Sequence, residues 1–157
     1  MVYKLREATK RDYEDVHRLQ KQVHEIHTEA RPDHYRMADI TLDRIYYEKL
    51  TEDENAKVFI LESENEPIAY TILTIKQPKD RPITIPKKVV FIEGFGVDSN
   101  WRGKRIGKTL FQEILNFAKE IKADTLELGV WEFNESAIKF YESMKLKTKM
   151  RRMEMDI

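Results

Sequence analysis

From residue 106 onward, apolar side chains recur at Ile106, Leu110, Ile114, Phe117 and Ile121 between polar positions, which predicts an amphipathic helix over "KRIGKTLFQEILNFAKEI". The same spacing in Tyr13, Val16, Leu19, Val23 and Ile26 predicts a helix in "ATKRDYEDVHRLQKQVHEIHTEARP", capped by Thr9 and ended by Pro32. "TLDRIYYEKL" predicts another, with Leu42, Ile45, Tyr46 and Leu50 inward, and "NESAIKFYESM" a last one capped by Asn134. Runs of β-branched and aromatic residues predict strands at "VYKL", "KVFILES", "IAYTILTIKQ", "VVFIEGFGV", "TLELGVW" and "KMRRMEMDI". In "TLELGVW" Leu126, Leu128 and Val130 alternate inward, and the turn "ENEP" joins the second and third strands as a hairpin. "KDRPITIPKK", with two prolines, reads as a loop.

This order, β-α-α-β-β-β-α-β-α-β without repeats or linkers, predicts an α/β (α+β) fold in which a mixed sheet carries helices on its faces. The 157 residues, 41% of them apolar, suit one domain spanning 1–157. The 28 basic and 28 acidic residues cancel, which argues against a nucleic-acid or anionic-membrane partner and makes any anion site local. The absence of cysteine excludes disulfides, thiolate metal sites and an acyl-cysteine intermediate. "MVYKLREATKRDYEDV" lacks an apolar signal region and no window approaches the roughly 20 apolar residues of a membrane span, so a soluble, cytoplasmic protein is expected. In the last strand Met153, Met155 and Ile157 share one face, which could help build a homodimer.

The candidate chemistry begins in "NWRGKRIGKTL", where a strand gives way to the long helix. Backbone N–H groups of residues 103 to 108 are unpaired at a helix start, and Arg102, Lys104, Arg105 and Lys108 add charge to its positive end. A P-loop needs four residues between its glycines, whereas Gly103 and Gly107 enclose three, and "TLELGVW" offers no carboxylate for a magnesium ion. No G-x-G-x-x-G occurs, so the dinucleotide fingerprint fails too.

In "VDSNWRGKRIG" the chain resembles the GNAT superfamily of acyl-CoA-dependent N-acetyltransferases, whose phosphate loop reads Q/R-x-x-G-x-G/A after a strand ending in valine. Val97, Arg102 and Gly107 match that pattern, and Arg105 stands where the family has its first glycine. "NESAIKFYESMKL" follows the family's N-x-x-A-x-x-F-Y-x-x-x-G-F at Asn134, Ala137, Phe140 and Tyr141, with Lys145 and Leu146 replacing Gly-Phe. The resemblance implies a mostly antiparallel central sheet flanked by helices on both faces, with acetyl-CoA as co-substrate. It implies cofactor contacts from Phe95, Gly96, Val97, Arg102, Gly103, Lys104, Arg105, Ile106, Gly107, Lys108, Asn134 and Phe140. His24 and His27 share a helix face and His34 follows, but no helix-spaced acidic third ligand joins them, so no metal is expected. An amine would attack the thioester directly in a ternary complex, which suits a chain without cysteine.

Two proton tasks remain: taking one from an ammonium and giving one to the leaving thiolate. The resemblance assigns the second to Tyr141. For the first, alternation in "VVFIEGFGV" puts Glu93 among Val89, Phe91, Phe95 and Val97, so its pKa is expected to be raised; the diamine acetyltransferases of the superfamily carry a glutamate there. A histidine, a water chain or bulk solvent are the other bases. Gly94 and Gly96, on the opposite face, suit a close backbone approach. The family's acceptor pocket is lined by the first two helices and the loop between them, which points to His24, His27 and Tyr35 as substrate contacts, while Trp131, just before Asn134, is placed to shape the cleft where the strands beside the thioester splay apart; the expected acceptor is a small-molecule or peptide amine. The rivals are an inactive acyl-CoA-binding module, a P-loop-like NTPase and a nucleic-acid binder.

Overall fold

The computed structural model describes residues 2–157. Among them, five strands form one sheet in the order β1 (Tyr3–Glu7), β2 (Ala56–Ser63), β3 (Glu66–Lys76), β4 (Val89–Val97) and β5 (Thr125–Leu128). Neighbours pair antiparallel except β4 and β5, which run parallel because a helical crossover joins them. The hairpin between β2 and β3 turns at Glu64 and Asn65, both with positive φ, as a two-residue primed turn requires.

Helices α1 (Tyr13–Ala30) and α2 (Arg44–Glu52) cover one face, packing Val16, Leu19, Tyr47 and Leu50 against Val58, Ile60, Tyr70 and Ile72. On the other face α3 (Ile106–Glu120) sets Ile106, Leu110, Phe111 and Ile114 against Leu61, Ile68, Leu73, Val90 and Ile92. The half-buried Phe140 and Tyr141 of α4 (Glu135–Ser143) close that core. Thr9 caps a single 3₁₀ turn, Lys10–Asp12, that leads into α1, and the Asp12 carboxylate returns a bond to the Thr9 N–H. Arg6 grips the same carboxylate with two nitrogens at 2.9 and 2.8 Å and reaches Glu62 at 2.7 Å, fixing β1, β2 and the start of α1 together.

Four expectations are corrected. In α2 the inward tyrosine is Tyr47, whose hydroxyl donates to the Thr9 carbonyl at 2.6 Å, while Ile45 and Tyr46 face solvent. Ile26 is exposed, because it lines an open surface cavity with Glu29, Ala30 and Phe133. Strand β5 stops at Leu128 and leaves Val130 exposed. The segment expected as a last strand pairs with no strand in the structure, and its Met153, Met155 and Ile157 are exposed. It is tied instead by ion pairs from Lys149 to Glu127 and from Arg31 to Glu154.

The two family glycines that this chain lacks fall at left-handed positions. Arg105 caps α3 with φ 62°, and Lys145 follows α4 with φ 76°. After α4 the Lys145 N–H bonds to the Glu142 carbonyl and the Leu146 N–H to the Tyr141 carbonyl, each at 3.0 Å, which is the Schellman closure that glycine serves best. A side chain there costs about 1 kcal/mol. Lys145→Gly is therefore expected to stabilise the fold by about 0.5–1 kcal/mol and raise the melting midpoint by roughly 1–4 °C; an unchanged or lower midpoint would contradict the strain.

Candidate functional site

Strand β4 positions the site through a break in its own register. Ile72 pairs with Gly94 but Leu73 pairs with Ile92, so Glu93 is the extra residue of a bulge. Before the bulge Val90 and Ile92 face α3; after it Phe95 and Val97 do. The inversion corrects the expected placement of Glu93 among apolar neighbours. Glu93 is exposed, and its Oε1 accepts from the Thr74 hydroxyl at 3.0 Å. Burial, and secondarily the Glu93 charge, push the Tyr46 phenol up.

Gly94 and Gly96 also have a different neighbour from the one expected. What presses on them is the Tyr70 ring: a Cβ at Gly96 would stand 2.7 Å from Tyr70 Cε1 and 2.7 Å from Val23 Cγ2, and one at Gly94 3.1 Å from Tyr70 Cε2.

Pairing between β4 and β5 ends at Ile92 and Leu128, while β4 continues to Val97. One edge of β4 is therefore open from the bulge to the start of α3. Tyr141 lies on the α3 side of this opening, its ring 6.1 Å from Phe95 and 6.3 Å from Phe111. Burial pushes its phenol up to about 12. No solvent-secluded side-chain nitrogen or oxygen among the described residues lacks a partner, and the Tyr141 hydroxyl bonds to none of those residues, so its oxygen retains solvent access.

Where β4 ends, Asp98 caps the next turn by accepting from the Asn100 N–H at 2.9 Å. Its other oxygen holds Arg18 of α1, and Gln22 accepts from the Ser99 N–H at 2.9 Å. Burial works against the Asp98 charge, but the Asn100 N–H and the Arg18 guanidinium outweigh it and hold the carboxyl below its ordinary range. These bonds pin α1 to the turn that aims α3.

The turn then opens into a cavity of 470 Å³ lined by Val97, Arg102, Gly103, Arg105, Ile106, Gly107, Lys108 and Phe140. The structure thus brings together most of the residues expected to hold a cofactor. Gly103, with φ 77°, and Arg105 turn the backbone so that the first amides of α3 face the cavity without helical acceptors. Lys104 lies against the Trp101 ring at 4.7 Å. A Cβ at Gly107 would meet Phe140 and Val97 only at ordinary contact distances of 3.6 and 3.8 Å, so protein packing does not require glycine there. Asn134 stands apart from this cavity, accepting from the Ala137 N–H at 3.2 Å as the α4 cap and lining a second cavity of 470 Å³ with Ile26, Glu29 and Phe133.

Over the other end of the opening, the α1–α2 connection closes on the β5–α4 connection. Trp131 Nε1 donates to the Tyr35 hydroxyl at 3.0 Å, and Tyr35 stacks on His27 at 5.5 Å with His24 and His34 edge-on. Phe133 and the Arg31 guanidinium extend the group. His24, His27, Tyr35 and Trp131 thus form one cluster, to which the sequence reading had not joined Phe133 or Arg31. Burial, and secondarily His24, pull the His27 pKa down, so this imidazole is neutral near pH 7. No set of three acidic or histidine side chains among the described residues is grouped to hold a metal ion. No helix among them is long and apolar enough to cross a membrane.

Comparisons with known proteins agree with this architecture. A model of the acetyltransferase (GNAT) family matches residues 20–145. The structure is similar to a crystal structure of a variant of the BH1408 protein from Bacillus halodurans, with a TM-score of 0.94, 33% identity, and coverage of 100% of this chain and 99% of that one. It also shares its fold with AAC(6')-Iy in complex with a CoA–acetylneamine bisubstrate analogue, at a TM-score of 0.75 and 15% identity over 100% and 99% of the chains. The uncharacterised N-acetyltransferase YdgE of Bacillus subtilis is 36% identical over 59 residues, so the match spans 38% of each protein.

Proposed function

The chain belongs to the GNAT acetyltransferase family and is an acyltransferase, and from that premise we propose that it moves an acetyl group from acetyl-CoA to a primary amine of a small molecule or peptide. The observation that carries this reading is the cationic cavity at the head of α3, which Val97 lines at the end of the unpaired edge of β4, with Tyr141 beside Phe95 on that same stretch. In this reading residues 1–157 act as one N-acetyltransferase domain.

The pyrophosphate of the cofactor would accept from the amides of Ile106, Gly107 and Lys108 and lie among Arg102, Arg105 and Lys108. Its pantetheine arm would run along the free edge of β4 past Val97, Gly96 and Phe95 as an added strand. That path sets the thioester at the bulge, with Tyr141 on the sulfur side and Glu93 on the acceptor side. At about 12, the Tyr141 pKa exceeds an ordinary thiol's by roughly 3–4 units, so it serves as a hydrogen-bond donor to the departing sulfur more readily than as a full proton donor. Glu93 or the neutral His27 would take the ammonium proton. A rise of kcat/KM with pH that flattens in Glu93→Gln but persists in His27→Gln would assign the base to Glu93, and the reverse would assign it to His27. The Tyr35–Trp131–His27 cluster would wall the acceptor, a cationic amine of the kind represented by the acetylneamine part of the AAC(6')-Iy ligand.

Acetyl-CoA at 100 times its dissociation constant is expected to stabilise the protein by about 2.7 kcal/mol and raise its melting midpoint by roughly 5–10 °C, while MgATP leaves it unchanged. Gly107→Ala should keep or slightly raise the midpoint of the free protein and shrink the acetyl-CoA shift, because the added methyl stands where the phosphate must approach. A shift with MgATP alone would overturn the cofactor assignment.

A further inference from the structure

Tyr70 is 1% exposed, in the middle of β3, yet its hydroxyl has no hydrogen-bond partner among the described residues. Every solvent-secluded side-chain oxygen among the described residues has a partner, so the Tyr70 oxygen is not sealed in the core, although its ring is. The ring lies along β4. Its near side touches the space a Cβ would fill at Gly96, and its Oη stands 3.3 Å from that space at Gly94, next to the bulge residue Glu93. This oxygen thus keeps some solvent access, and it lies against Gly94, in the stretch of β4 that β5 has left. Both glycines of "EGFGV" make room for this ring.

We infer that Tyr70 is a catalytic residue that donates a hydrogen bond to the acyl oxygen of the bound thioester, an inference that rests on the acetyl-transfer reading above. The cleft then holds two phenols on opposite sides of β4: Tyr141 on the α3 face for the sulfur, Tyr70 on the α1 face for the carbonyl oxygen. As the amine nitrogen forms its bond to the carbonyl carbon, the C=O π pair moves onto oxygen, and the Tyr70 O–H stabilises the negative charge. When the C=O reforms, the C–S bond breaks and sulfur leaves with its electron pair. The nitrogen loses a proton to the base, the thiolate takes one, and the products are the amide and CoA. Tyr70 keeps its proton throughout, in line with burial and, secondarily, the neighbouring Tyr141 phenol pushing its hydroxyl above the ordinary tyrosine range.

The test is calorimetric titration of wild type and Tyr70→Phe with CoA and with a stable ketone analogue of acetyl-CoA that keeps the acyl carbonyl but cannot transfer it. Phenylalanine preserves the ring over the glycines, so the variant should melt at or above the wild-type midpoint. The expected result is a preference of wild type for the analogue over CoA that falls about 5- to 10-fold in the variant, with CoA affinity unchanged. In wild type alone, the 13C-labelled carbonyl of the bound analogue should resonate downfield of its position in water. An equal preference in the two proteins, or an unshifted carbonyl, would overturn the role of Tyr70 while leaving the cofactor reading intact. Failure of wild type to bind either ligand would overturn both.

Discussion

Tyr141→Phe is expected to lower kcat by about 100-fold or more while acetyl-CoA affinity stays within about a factor of two. The ring sits in an aromatic group with Phe95, Phe111 and Phe140, and phenylalanine keeps those contacts. Only the hydroxyl is lost, and it has no partner among the described residues whose bond would break. The effect should therefore fall on the step in which charge develops on sulfur, with little cost in stability. Stopped-flow detection of thiol release would separate that step from binding, and an unchanged kcat would remove Tyr141 from the chemistry.

Gly96→Ala should destabilise the fold by about 2–3 kcal/mol and lower the melting midpoint by roughly 5–10 °C. The new methyl would meet Tyr70 Cε1 and Val23 Cγ2, both at 2.7 Å, between a packed helix and a packed strand. Relief requires the Tyr70 ring to shift or α1 to lift, and α1 is held by the Arg18–Asp98 ion pair. Gly129→Ala is the control, since a Cβ there meets nothing within 4 Å and should change stability by less than about 0.5 kcal/mol. Equal effects at the two positions would show that the Tyr70 ring does not lie where it is described.

Local periodicity carried much of the fold. The stripe from Ile106 to Ile114 is long enough to fix both the helix and its buried face, and Thr9 and Asn134 cap as their side chains predict. Periodicity failed where the answer depended on a distant partner. Over the nine residues of α2, Tyr46 and Tyr47 fit the inward stripe almost equally well, and the Thr9 carbonyl decides between them. "KMRRMEMDI" alternates like a strand but pairs with none among the described residues. Alternation in β4 is correct on each side of Glu93 and reverses at the bulge, which the pairing with β3 reveals. The grouping of residues 102–108 around the cavity at the head of α3 was legible because they are contiguous in sequence. Tyr70 was not, because its meaning lies in the two glycines across the strand pair, 24 and 26 residues away in sequence.

The central claim is amine-dependent acetyl transfer, and the most direct measurement follows thiol release from acetyl-CoA in the presence of aminoglycosides, polyamines and short peptides with free N-termini, with each amine then weighed by mass spectrometry. The account predicts at least one amine that releases thiol and gains one acetyl group in equal amounts. Tight acetyl-CoA binding with no amine-dependent thiol release across such a panel would contradict it, and would mean a module that binds the acyl cofactor without transferring its acetyl group.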